Sequence, residues 1–163
     1  MQEQHDFVAG LGYLSMAARL KRISDHMMHG ARQVYKTIGL DIEPNWYLVF
    51  KLLQQQGTLS ITEIGEKLRF SHPSVISIVK KMKEKGYLES RQDERDTRKQ
   101  LVYLSVKATH NMPRFEESWK AGEAVIRDIL DHNASFLQAL SSIEERLISS
   151  DFSERTFNHL KHE

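Results

Sequence analysis

Four lysines, Lys80, Lys81, Lys83 and Lys85, crowd one short stretch, and Arg91, Arg95, Arg98 and Lys99 follow soon after. Cationic side chains at this density suit a polyanion, because each Lys or Arg that neutralises a phosphate releases a condensed counterion. Between Ser60 and Ser105 ten Lys/Arg face seven Asp/Glu, a net +3, whereas the 163-residue chain as a whole carries only +1. A basic middle between mildly acidic arms is the charge layout of a nucleic-acid reader held by flanking elements. A lysine-rich helix face is by default only a solvated face. The pattern must therefore be judged together with the elements that carry it.

Other chemistries have little to work with. The chain has no cysteine, which removes disulfides, thiolate nucleophiles, cysteine-ligated zinc and sensing by cysteine oxidation. Among eight histidines, His26 and His29 are three apart, as are His159 and His162, and each pair could share a helix face. A metal-responsive regulator built on these histidines is an alternative reading. No dense ligand motif of the HExxH kind is present, however, and no metal site is expected. There is no glycine-rich phosphate loop and no nucleophile beside a base, so neither an enzyme nor a cofactor is expected. No apolar run approaches the roughly 18 residues of a membrane span. The opening MQEQHDF lacks the positive charge and apolar stretch of a signal peptide, so the expected location is the cytoplasm and no membrane partner is expected.

The elements around the basic cluster can be read from periodicity. Met16, Leu20, Ile23, Met27, Ala31, Val34 and Ile38 recur at steps of three or four within a proline-free stretch from about residue 4 to 38. They predict one long helix ended by Gly39, whose apolar stripe needs a partner, such as a second copy. Pro44 opens a shorter helix carrying Trp46, Val49, Phe50 and Leu53, closed by Gly57. Ser60-Ile61-Thr62-Glu63 reads as a capping box for a helix running to about Arg69. After Phe70-Ser71-His72, Pro73 opens the lysine-bearing helix, capped by Ser71 or His72, with Val75, Val79 and Met82 inward and Gly86 as its stop. Two short helices joined by a tight turn form a helix-turn-helix pattern. Tyr87 to Arg91 and Leu101 to Leu104 then read as a β-hairpin with a charged tip. From Ser105 onward the pattern is helical again. A kink is expected at Pro113, a break at Asp131-His132-Asn133, and Ser153 is the expected cap of a last short helix.

The run SITEIGEKL, then SHPSVISIVKKMKEKGYL, then SRQDERDTRKQLVYLS resembles the winged-helix core of the MarR family. Its most specific element is Asp93-Glu94-Arg95-Asp96-Thr97-Arg98, similar to that family's acidic-and-arginine wing motif. The N-terminal GYLSMAARLKRISDHMM resembles a subgroup sometimes fused to an acetyltransferase domain, but the residues after the wing read as helices instead.

The resemblance implies a mostly α fold with a small β-wing. Residues 1–56 are expected to be N-terminal dimerisation and support helices, 57–105 a winged helix-turn-helix DNA-binding core, and 106–163 C-terminal dimerisation helices. The implied function is that of a homodimeric transcriptional regulator, by expectation a repressor, on a pseudo-palindromic double-stranded DNA operator. His72, Ser74 and Ser77 would face base edges in a major groove, and Lys80 and Lys81 would meet phosphates. Arg91, Arg95, Arg98 and Lys99 belong to the wing, where Arg95 or Arg98 suits a minor groove and Asp96 would brace Arg98. Ile76 departs from the family pattern, standing where many relatives carry a small polar residue. A small aromatic effector is a further expectation, in a pocket around Trp46, Tyr47 and Phe50. A winged-helix module that binds protein and not DNA is the remaining alternative, though it would not require Arg95, Arg98 and Lys99 at a hairpin tip.

Overall fold

The computed structural model describes residues 6–161. Its elements run in the order α1 (Phe7–Gly10), α2 (Met16–Thr37), α3 (Tyr47–Gln56), β1 (Leu59–Ser60), α4 (Ile61–Leu68), α5 (His72–Glu84), β2 (Leu88–Gln92), β3 (Gln100–Leu104), α6 (Val106–Ile129), α7 (Ser135–Ser149) and α8 (Phe152–Lys161). Short 3-10 turns precede α2 and α3. The chain packs as two compact units divided after Trp119.

The first unit holds the core. Val49 and Phe50 of α3, Ile64 of α4, Val75 and Met82 of α5, Val102 of β3 and Phe115 of α6 are all fully buried. The helix before the winged segment therefore shares one core with it. Phe50 sits at the centre of an aromatic cluster, its ring 5.2 Å from Phe115, 5.7 Å from Tyr87 and 6.0 Å from Trp119. Offset and edge-on aromatic packing of this kind contributes beyond area burial alone.

The sheet has the order β1-β3-β2 and is antiparallel throughout. β2 and β3 pair from Leu88 with Leu104 to Gln92 with Gln100, which makes the hairpin. The two-residue β1 pairs Leu59 with Val102 and Ser60 with Leu101, and periodicity gives no sign of it. Ser60 then caps α4. Its Oγ accepts from Glu63 N at 3.2 Å, and Glu63 Oε2 accepts from Ser60 N at 2.7 Å, a complete capping box.

Two local expectations need correction, and one open alternative is resolved. The long N-terminal helix begins at Met16, because Gly12 takes φ +57° and breaks α1 from α2. A left-handed residue cannot continue an α-helix, and glycine adopts that conformation without a Cβ penalty. The cap of α8 is Asp151, which accepts from Glu154 N at 2.9 Å, while Ser153 lies inside the helix. Ser71 caps α5 and His72 is its first residue.

In the unit from Lys120 to Lys161, which holds the end of α6, α7 and α8, none of the described residues is buried. Val125, Ile129, Phe136, Leu147, Phe152, Phe157 and Leu160 are exposed. In the first unit, Met16, Ile23, Met27, Val34 and Ile38 of the α2 stripe are exposed too, as are Tyr13 and Leu14. At the bend after α6, Asp131 and His132 both take left-handed φ, 49° and 54°.

Candidate nucleic-acid interface

α5 divides cleanly by face. Val75, Ile78, Val79 and Met82 point into the core, and His72, Ser74, Ile76, Ser77, Lys80 and Lys81 are exposed. The 3.6-residue period places the two sets on opposite sides of the helix. Gly86 at φ +72° stops the helix, with its N–H on Lys83 O at 2.8 Å and Tyr87 N on Met82 O at 2.9 Å. That pairing closes the orphan carbonyls of the last turn and turns the chain into β2.

The polar partners sort the exposed residues further. Ser71 and Ser74 share a hydrogen bond between their hydroxyls at 2.8 Å, so the Ser74 side chain is already engaged at the cap. Lys80 stands 3.9 Å from Glu84 in an exposed i,i+4 pair, a contact worth little in water. Lys83 donates to Ser90 Oγ at 2.6 Å, across to the hairpin. Lys85 donates to both carboxylate oxygens of Asp41 at 2.8 and 2.9 Å, and this bond holds its ammonium pKa above the ordinary value. Lys107 donates to Lys85 O at 2.7 Å and lies 4.2 Å over the Tyr87 ring. Of the four clustered lysines, Lys83 and Lys85 are thus tied into the fold, and Lys80 and Lys81 remain extended from it.

The hairpin tip is built by its acids. Asp93 Oδ1 accepts from Arg95 N at 2.8 Å. Asp96 Oδ1 accepts from Arg98 N at 3.2 Å and from Arg98 Nε at 3.0 Å, and Oδ2 accepts from Arg98 Nη2 at 3.3 Å. The Arg98 side chain is 90% exposed and that of Asp96 only 29%. One carboxylate therefore both folds the turn and aims the guanidinium outward. These hydrogen bonds hold the Asp96 carboxyl below the usual carboxylate range. Arg91, Arg95 and Lys99 are exposed on the same hairpin.

Trp46 and Phe50 lie inside the aromatic core, and Tyr47 is partly exposed at its edge, 6.3 Å from Trp119. The structure thus presents one of these three rings to solvent. His26 and His29 are on α2, where His29 Nε2 contacts Gln33 at 2.9 Å. His159 is exposed on α8, and His162 lies outside the described residues. Among the described residues no three His, Asp or Glu side chains group as metal ligands do. No helix of the described residues is long and apolar enough to cross a membrane.

Neither local pattern nor periodicity points to Ser90 and Asp41, the partners that withdraw two lysines. Asp41 lies 44 positions from Lys85, beyond the reach of any short motif.

Residues 40–99 match the model of the MarR family. No curated protein matches the chain. Among solved structures, the S. aureus MepR–DNA complex is similar at a TM-score of 0.65 and 20% identity, over 83% of this chain and 97% of that one. The PcaV transcriptional regulator from Streptomyces coelicolor, solved with its natural ligand, is similar at 0.65 and 16%, over 85% and 93%. Reduced AbfR bound to DNA is similar at 0.63 and 17%, over 82% and 93%. At such identities these likenesses establish the fold alone, a winged helix-turn-helix with flanking helices.

Proposed function

We propose, from the premise that the winged segment of this chain belongs to the MarR family, that the protein is a transcriptional regulator that binds double-stranded DNA as a homodimer. The observation that carries this reading is the pairing of two exposed cationic elements. The outer face of α5 presents His72, Ser77, Lys80 and Lys81, and the hairpin presents an arginine braced by its own turn. α5 fits a major groove and the hairpin a minor groove, where narrow width concentrates negative potential around an arginine. Arg91, Arg95 and Lys99 add phosphate contacts. That similar structures include regulators solved on DNA supports the same assignment.

The dimer rests on apolar surface. A stripe along α2 and the helices after Trp119 leave large apolar side chains in water in the single chain. Large apolar side chains left exposed along a helix mark an interface. Two-fold symmetry then implies half-sites about 10 bp apart in a pseudo-palindrome. Repression is the sign assigned by this reading. Release by a small aromatic effector belongs to it as well, with Tyr47 the ring it would meet.

The test is a mobility-shift titration of the full chain on the DNA flanking its own gene, repeated at rising salt and with aromatic acids. Retarded complexes that weaken steeply with salt are expected. A stable monomer with no salt-sensitive affinity for any duplex overturns the proposal.

A further inference from the structure

Ile76 is 42% exposed on the outer face of α5. It lies four residues after His72 and four before Lys80, so the three form one ridge along the helix. A lone exposed isoleucine needs no explanation on an ordinary surface. This one sits between two side chains directed at DNA under the proposed function, on which the inference rests. Any docking that brings both His72 and Lys80 to a duplex also brings Ile76 out of water.

What the side chain then meets is limited by the chemistry of the groove. Base edges in the major groove present hydrogen-bond donors and acceptors, and one apolar feature, the C5-methyl of thymine. An isoleucine held over polar edges would strip them of water without replacing the hydrogen bonds. Against a methyl it loses nothing and buries apolar surface on both sides. Its β-branch keeps it in essentially one rotamer on a helix, so it is presented without further ordering. The Ser74 hydroxyl, two positions earlier, already shares a hydrogen bond with Ser71. We infer that Ile76 is a specificity-determining residue that reads the methyl group of one thymine in each half-site.

The experiment uses the full chain and a randomised duplex pool. A preferred site is selected with the wild-type protein, and each thymine in it is then replaced by deoxyuridine, which removes only the methyl. At one thymine per half-site, wild-type affinity should fall by about fourfold, the effect of one buried methyl. Ile76→Ala should bind the thymine site less tightly and be indifferent to uracil at that position, with an unchanged melting temperature. The inference is overturned if the uracil scan is flat for the wild type, or if Ile76→Ala keeps the wild-type response to every replacement. In both cases salt-sensitive binding would persist and the DNA-binding reading would stand. If no site is enriched and no duplex is bound, both fall together.

Discussion

Lys83 donates from Nζ to the hydroxyl of Ser90 at 2.6 Å, and so links the helix that would enter the major groove to the first strand of the hairpin beside it. A lysine used this way is not available to a phosphate. Lys80→Ala and Lys81→Ala should each flatten the dependence of log affinity on log salt by about one per protomer. Lys83→Ala and Lys85→Ala should leave that slope unchanged. Fluorescence anisotropy of a labelled duplex over a potassium chloride series separates the two classes.

The hairpin arginine should act in binding and not in folding. Arg98→Ala is expected to weaken DNA binding by about tenfold without lowering the melting temperature, since its side chain is almost wholly solvated. Asp96→Asn should weaken binding less, because it loosens the brace and leaves the charge. Mobility-shift and thermal-melting measurements on the two variants check this.

The same pair has a defined pH response. The folded Asp96 carboxyl titrates below its ordinary value of 3.8 because Arg98 and its backbone N–H stabilise the anion. The turn's stabilisation is therefore fully present above that ordinary value and is lost as pH falls through the depressed one. The amide resonance of Arg98, which donates to Asp96, should hold its shift down to that range and then move. A transition centred near neutral pH would contradict the pairing.

Arg69 joins α4 to α5 in the left-handed region, at φ 53° and ψ 38°. Arginine is strained there by its Cβ, and glycine is not. Arg69→Gly should raise stability by about 1 kcal/mol, a gain of roughly 3 °C in melting temperature for a chain of this size. Differential scanning calorimetry reads it directly.

Single charged substitutions on the tail, such as Leu147→Asp or Phe157→Asp, should shift sedimentation toward monomer and make melting depend more strongly on concentration. Both residues are exposed in the single chain, Leu147 by 43% and Phe157 by 60%.

Features carried by a few neighbouring residues are legible in the sequence alone. The Ser60–Glu63 box needs only four positions, and the stripe from Met16 to Ile38 repeats often enough to stand out. The acids and arginines between Asp93 and Arg98 have a spacing that only a tight turn uses well. What stays hidden depends on distant partners or on competition between equal local choices. β1 exists because Leu59 and Ser60 reach Val102 and Leu101, far along the chain. Gly12 does not stand out because the apolar rhythm around it suits a helix, and only its backbone angle ends one. Asp151 and Ser153 are both good caps, and the carboxylate takes the position. The fate of Lys85 is set by Asp41, which sits in a loop without a motif.

The chain has two tryptophans, and both belong to the first unit's aromatic cluster, Trp46 lying 6.1 Å from Tyr87 and Trp119 5.9 Å from Phe115. Tryptophan emission will consequently report on that core. Circular dichroism, dominated by backbone amides in helices, will also register α7 and α8. If the two signals are followed through one denaturant titration, a gap between their midpoints measures how independently the tail melts.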